Sequence, residues 1–434
     1  MPAITFGGLS SGLDTTSLIE QLVSIERNAA ARVTTRRSNI DTQKSIISSL
    51  SSSLSTLATA ARGLDLDTEV KPRAVSVSDS RVGVAVSSAA SAGVHEFRVT
   101  SLAAAQVTQS RAFTGTSAGL AGAGSLDITV GGATKSITWT ASDSLDAIAT
   151  RINGADAKVN ASVLRVDDTN YRLVVSAKES GTANAPTFVE TGDALGLADP
   201  LNVKVPATNA VVNVNGIDIV RSSNVISDAL SGVTLTLANK HEATDPTTKA
   251  TVTLDTTALA DKMKKLVDAF NTVNAALHIQ LDYTGTKKGE STLFGDSTLR
   301  QLQTSIGAVA SNAYGDTNIA AVGITRDRTG TMTLDTAKLT EAIGKDPDAV
   351  AKLFVTGGFA TAVSGFADQY TRATDGVLAT KTQALTERQK ILQDQIDRIN
   401  KKADDLDTRL TAQFASLEQA MTRLRSQSSY LSAF

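Results

Sequence analysis

Cysteine does not occur anywhere in the chain, so neither a disulfide nor a thiolate-held metal can be part of its architecture. Histidine is nearly as scarce. His95, His241 and His278 lie in three different predicted segments, none beside another metal-ligating residue at helical spacing, which argues against a zinc site. Aromatic residues make up 4% of the chain, and Ala, Ser, Thr, Val and Leu fill the space instead. Such a composition builds thin layers and long helices more readily than a deep aromatic-lined pocket. Neither sign of charge dominates, with 42 basic and 44 acidic residues, so a nucleic-acid or acidic-lipid surface is not favoured. No run approaches about 18 uncharged apolar residues, so no membrane span is expected. The opening MPAITFGGLSSGLD lacks a basic stretch followed by an apolar one, and no Sec-type signal peptide is expected.

The residues that could carry chemistry are few. Gly8-Leu9-Ser10-Ser11-Gly12 matches the spacing of a hydrolase nucleophile elbow, but that turn needs a preceding strand and a nearby histidine. A flexible Gly/Ser lead-in is the simpler reading. Gly122-Ala123-Gly124 has no Gly-Lys-Ser/Thr after it and is not a phosphate loop. Asp327, Thr329 and Gly330 resemble a calcium loop only faintly, because Arg326 and Arg328 stand where acidic ligands are needed. The carboxylates are spread along predicted helix faces. No catalytic residue, metal site or cofactor is expected, and the chain reads as an assembly protein and not an enzyme.

What is abundant is heptad spacing at both ends. After the flexible lead-in, Ser17 and Glu20 have capping-box spacing and predict a helix start. Leu18, Leu22, Ile25, Ala29, Val33, Ile40, Ile47, Leu50, Leu54, Leu57, Ala61 and Leu64 follow at steps of three, four or seven, with one extra step of four at Ala29 to Val33. That is a heptad seam with a stutter, about 70 Å long for about 45 helical residues. The C-terminus mirrors it, with Leu385, Leu392, Ile396, Ile399, Ala403, Leu406, Leu410, Phe414, Leu417, Met421 and Leu424. A third seam runs from Leu259 to Leu281, and Asp296, Asp335 and Asp346 look like helix N-caps. Two matching terminal seams predict that the two ends pair with each other.

Between them the period falls to two. Leu126, Ile128 and Val130 lead through Gly131-Gly132 to Ile137 and Trp139, a hairpin pattern, and a short helix carries Leu145, Ile148 and Ile152. Strands follow at Val159–Val163 and Tyr171–Val175. The stretch from Val212 through Asn215-Gly216 to Leu254 has a similar order, with a helical turn expected near Ser227–Leu230, and reads as a weak internal repeat.

Three stretches resemble the flagellar filament cap family, also called hook-associated protein 2. They are Gly8–Leu22 continuing to Glu26, the run from Gly323 through Thr333-Leu334-Asp335 and Asp346-Pro347 to Phe354, and the tail from Leu385 to Leu431. The unit around Ser144–Asn153 is similar to a module found in flagellar hook and filament proteins. The resemblance implies a ring at the distal tip of the filament, expected to be a pentamer of identical chains, that guides folding and insertion of flagellin without covalent chemistry. It implies a multidomain α+β chain, with a helical coiled-coil or bundle leg from both ends and inserted antiparallel β-rich domains. On that basis we expect a flexible N-terminal helical segment at 1–38, a helical leg at 39–72 and 256–406, and a β domain at 73–111 and 207–255. An inserted β-rich domain at 112–206 and a C-terminal helical segment at 407–434 complete the division. The residues expected to carry assembly are Leu18, Leu22, Ile25, Ile47, Leu54, Leu392, Ile396, Ile399, Leu406, Leu417 and Leu424. Implied partners are other copies of the chain, flagellin, hook–filament junction proteins and a secretion chaperone. The implied location is extracellular, at the filament tip.

Two other readings use the same architecture. One is another flagellar axial protein. The other is a surface adhesin, whose β domains bind host mucin or other glycans while the helices act as a stalk.

Overall fold

The computed structural model describes residues 14–117, 122–281 and 293–431. Its helices are α1 (Thr15–Arg62), α2 (Asp67–Val70), α3 (Leu145–Gly154), α4 (Thr256–Leu281), α5 (Ser297–Ser311), α6 (Thr336–Lys345), α7 (Pro347–Phe354), α8 (Phe359–Thr371) and α9 (Val377–Leu431). The chain divides into two compact units, one formed by the segments up to Val70 and from Thr257 onward, the other by Lys71–Thr256. Helices from both ends share the first unit. The second is built of antiparallel sheets with α3 among them.

In the helical unit, α1 starts three residues earlier than the capping-box spacing suggests. The Asp14 carboxylate accepts from the Ser17 backbone N–H at 3.0 Å, which makes Asp14 the cap and places Ser17 inside the first turn. Aspartate is as good a cap as serine, and the earlier start lets Thr15 be buried. The helix then runs unbroken for 48 residues to Gly63, so position 38 is not an element boundary. Helix α9 is likewise continuous across position 407. Asp296, Asp335 and Asp346 cap α5, α6 and α7 as their spacing predicts, each accepting two backbone N–H groups. Helix α4 buries Leu259, Met263, Leu266, Phe270, Val273 and Leu277. Its Asn271 side chain exchanges two bonds with the Met332 backbone, tying the helix to the hairpin of Ile324–Arg326 and Met332–Leu334.

Among the described residues one stretch, Pro347–Thr371, is long and apolar enough by composition to cross a membrane. It is two helices, α7 and α8, separated at Val355–Gly358, and Phe354, Phe359, Ala360 and Ala367 are 0–1% exposed in the helical core.

The second unit holds two cores. A five-stranded sheet runs in the order Arg73–Val77, Thr248–Leu254, Gly93–Ser101, Ala210–Val214, Ile217–Arg221, and a three-stranded sheet in the order Val225–Leu230, Val233–Leu237, Val82–Val86. Phe97, Val99, Val212, Leu235 and Ala250 are buried together there. The other core gathers Leu126, Ile128, Trp139, Leu173 and Val175 from two further sheets with Leu145, Ile148 and Ile152 of α3. The hairpin at Gly131-Gly132 forms as expected, with Leu126 opposite Ile137 and Val130 opposite Ala133.

The expected internal repeat fails in its second half. The segment Val225–Leu230 is a strand, not a helical turn. Ile226 faces Leu235 and Leu230 faces Val233, so four residues on one strand span two on the other. That bulge produces the i, i+4 apolar spacing that suggests a helix.

Candidate functional site

The two terminal helices lie side by side and antiparallel. The Arg27 guanidinium is 2.9 Å from Asp404, Lys402 is 2.9 Å from Glu26, and Lys44 donates to Gln389, which in turn donates to Asp41. Between these polar pairs, Ile19 and Val23 meet Ala403, Leu410 and Phe414, and Ala30 and Val33 meet Ile396, Leu392 and Ile399. Arg27 and Asp404 are 55% and 66% exposed, and such solvated pairs contribute little beyond orientation, about 0–1 kcal/mol. The apolar seam therefore holds the pair. At the far end of α1, Arg62 bonds the Asp368 carboxylate of α8. Where α9 begins, Lys381 reaches Asp296 at 2.6 Å. Burial pushes the Asp296 carboxyl up, but the Lys381 bond and charge and the α5 amides together hold it below the usual range.

Of the eleven predicted assembly residues, Ile47, Leu54 and Ile396 are buried, at 1%, 0% and 8% exposed. Leu392 and Ile399 are half-buried in the seam, and Leu406 is half-buried on α9. Leu18, Leu22 and Ile25 are 41%, 45% and 66% exposed, and Leu417 and Leu424 are 46% and 59% exposed. The early part of the expected α1 seam is thus displaced by one residue. Ile19, Val23 and Ala30 face α9, while Leu18, Leu22 and Ile25 sit one position back and stay uncovered. The extra step of four at Ala29 to Val33 is absent, because Ala30 is the seam residue. The sequence carried both patterns. Only the positions of Ala403, Ile396 and Phe414 on the partner helix select between them.

The other candidate residues resolve into structural roles. The Gly8–Gly12 motif and the lead-in expected to be flexible lie outside the described residues. His95 is on an internal strand of the five-stranded sheet and lies 3.2 Å from the Asn215 amide. His278 lies 2.7 Å from the Thr329 carbonyl. Asp327 accepts from the backbone and hydroxyl of Thr329 and the backbone of Thr331, so its carboxylate closes its own loop. Gly122 donates to the Asp193 carboxylate, and its carbonyl accepts from the Trp139 indole.

His241 is the residue that sequence reasoning missed. It is 7% exposed, and its ring Nδ1 accepts the Val99 backbone N–H at 3.0 Å while the His241 backbone N–H donates to the Val99 carbonyl. Its Nε2 donates to the Thr248 hydroxyl, which donates to Asp79. Burial pushes the His241 ring down from its ordinary pKa, and Arg81 and Arg98 reinforce this against Asp79 and Asp245. Burial raises the Asp79 carboxyl, but the Arg81 amide, the Thr248 hydroxyl and the Arg81 charge outweigh it and leave it lowered. Among the described residues no group of three or more His, Asp or Glu could hold a metal.

The site is therefore a surface: a sealed helical seam whose open end carries uncovered apolar residues. The chain matches the family model for the C-terminus of flagellar hook-associated protein 2 over residues 207–426, and that for its N-terminus over 11–106. Residues 125–179 match the flagellin hook IN motif. The flagellar hook-associated protein 2 of Escherichia coli K12 is 30% identical over 460 aligned residues, covering 99% of this chain and 98% of that one. That of Salmonella typhimurium is 35% identical over 314 residues, 66% of each chain. The crystal structure of the flagellar cap protein FliD D1-D2-D3 domains from Escherichia coli superposes with a TM-score of 0.69 at 31% identity, covering 79% of this chain and 99% of that one. The chain belongs to the flagellar hook-associated protein 2 family.

Proposed function

We propose that this chain caps the distal end of the bacterial flagellar filament, outside the cell, and promotes folding and insertion of flagellin there. Family membership supports the cap reading. The observation that carries the mechanism is the contrast along α1. Leu50, Leu54 and Leu57 are 0–3% exposed, whereas Leu18, Leu22 and Ile25 at the other end are 41–66% exposed. At that end α9 covers only the Ile19 and Val23 side of the helix, and the stripe beside it is suited to another helix.

In this reading residues 1–38 and 407–434 engage the filament end and 39–72 with 256–406 form the leg. The β region is divided at 73–111 with 207–255 and at 112–206. The working form is a ring of identical chains, expected to be a pentamer. Flagellin insertion needs no bond made or broken, so no catalytic group is assigned. Hook–filament junction proteins and a secretion chaperone for the C-terminal helix are further partners of the same reading.

The test is deletion of 1–38 or 407–434. A strain lacking the whole chain should release unpolymerised flagellin. The truncated chains should fold in their β region yet fail to bind filament tips or restore polymerisation. Capping by a chain lacking both ends would remove that role from them. An adhesin role, with mucin as ligand, predicts instead that the strain keeps full-length filaments and loses attachment.

A further inference from the structure

Residues 238–247 join the strand Val233–Leu237 to the strand Thr248–Leu254. They lie against the strand Gly93–Ser101 where its pairing with Thr248–Leu254 has ended at Phe97. None of their side chains enters the apolar core, whose nearest members along the chain are Leu237 and Ala250. Between Leu237 and Thr248, His241 is the one buried side chain. The segment is therefore held by polar contacts. The His241 backbone N–H donates to the Val99 carbonyl at 2.8 Å, and ring Nδ1 accepts the Val99 N–H. Arg98 donates to the Glu242 carbonyl at 3.1 Å and to the Asp245 carbonyl, and Arg81 lies 3.1 Å from the Asp245 carboxylate. Glu242 and Asp245 close a turn, with the Asp245 N–H on the Glu242 carbonyl and the Glu242 N–H on the Asp245 carboxylate.

A neutral ring suits this seat and a charged one does not. Nδ1 receives a hydrogen from Val99, and Nε2 donates its own to the Thr248 hydroxyl at 3.0 Å, which donates onward to Asp79 at 2.8 Å. A second ring proton has only Nδ1 to occupy, where it would meet the Val99 N–H, two donors with no acceptor between them. The surrounding charges divide. Arg81 and Arg98 oppose a charged ring, and Asp79 and Asp245 favour one. Both carboxylates are already engaged, Asp79 by the Arg81 amide and Thr248, Asp245 by Arg81 and the Glu242 amide. Lys240 and Glu242, the other charges on the segment, pair with each other at 3.1 Å. Burial is the largest influence, and it holds the ring below its ordinary pKa of 6.5.

We propose that residues 238–247 form an acid-released latch: a proton taken up by His241 lifts the segment from Val99 while the sheets beneath it stay folded. No core side chain has to move for this, because the segment contributes none. Opening carries the imidazolium into water, bares the Val99 N–H and carbonyl, and takes from Arg98 its two carbonyl acceptors. An unpaired strand edge is a template for further pairing, so the closed latch keeps this edge covered at neutral pH. The sign follows from linkage. The closed form binds the proton less tightly than the open one, so closure is favoured in full above pH 6.5. Opening then grows as pH falls from 6.5 toward the closed-state pKa. The latch belongs to the β unit alone and does not depend on the capping role.

The scarcity of histidine makes the test direct. Hydrogen exchange of the full-length chain is followed by mass spectrometry from pH 7.5 to 4.5, corrected for the pH dependence of an unprotected amide. The expected result is that peptides holding Val99 and His241 lose protection by up to about tenfold per pH unit below 6.5, while those holding Val212 and Leu235 keep theirs. His95→Gln with His278→Gln should retain that slope. His241→Asn should remove it, because an Asn oxygen takes the acceptor place of Nδ1 and does not titrate. In the chain lacking His95 and His278, the one remaining imidazole proton signal should titrate over the pH range in which protection is lost. Protection that stays level throughout would overturn the proposal. Protection lost at Val99, Val212 and Leu235 together would overturn it in favour of unfolding of the whole unit. An equal slope in His241→Asn, or a ring that titrates outside that range, would overturn it in favour of the neighbouring carboxylates.

Discussion

His241 stands in for a strand. The edge of Gly93–Ser101 that pairs with Thr248–Leu254 loses that partner beyond Phe97, and His241 supplies Val99 with both an acceptor and a donor. Because a backbone N–H can only donate, Nδ1 must be unprotonated, and the ring must be neutral with its hydrogen on Nε2. Its folded-state pKa is lowered from 6.5. Folding therefore favours the unprotonated ring, and its contribution is complete above pH 6.5 and falls as pH drops through the folded-state pKa. Thermal unfolding of the intact chain should show the β transition moving down in temperature between pH 7.5 and 5, with a flatter profile in His241→Gln. An equal slope in both would assign the pH dependence elsewhere. The ring's role was not legible in the sequence, since it depends on Val99 and Asp79, far away along the chain. Gly323 was legible as part of a family-like motif. Its φ is +82° and an added Cβ would lie 2.5 Å from the Asp335 carbonyl, so Gly323→Ala should cost about 1–3 kcal/mol in chemical denaturation.

At the scale of elements, α1 shows what periodicity can and cannot decide. Helix existence, length and the seam from Val33 onward follow from the spacing of Val33, Ile40, Ile47, Leu50 and Leu54, all 0–6% exposed. Before Val33 the stripe Leu18, Leu22, Ile25 and Ala29 is the more apolar by sequence, yet Ile19, Val23 and Ala30, one residue later and interrupted by Glu26, are the ones that meet α9. The same limit applies at Val225–Leu230, where a bulge imitates helical spacing. The two kinds of α1 position should respond oppositely to substitution. Ile47→Ala removes a sealed side chain and should cost about 2–5 kcal/mol. Leu18→Ser, at 41% exposure, should change the stability of dilute protein by about 0.5 kcal/mol or less while weakening association. Urea unfolding of both variants decides it. A large loss for Leu18→Ser would place that residue inside the single-chain core.

For the whole molecule, the governing feature is that residues nearly four hundred positions apart form one helical pair, as Arg27 and Asp404 do. Loop-closure entropy grows only slowly with length, so such a pair is thermodynamically accessible once the intervening unit has folded on itself. The β unit makes its own cores from Lys71–Thr256 and should fold when either end is removed, whereas deletion of 407–434 should strip the α1 stripe near Ile19 of Leu410 and Phe414. Hydrogen exchange of the truncated chain should show protection kept in the sheets and lost in the first turns of α1. The pairing of the ends was legible because both seams are long and mirror each other. The register was not, since it is set by contacts such as Lys44 with Gln389 that no local pattern encodes. The central claim is that this open-ended coil completes itself at the filament tip. Electron microscopy of cap-less filaments mixed with purified full-length chain tests it most directly. The account predicts a plate of density at one end of each filament, absent when residues 1–38 or 407–434 are missing. Bare ends with the intact chain, or plates that persist without both termini, would contradict it.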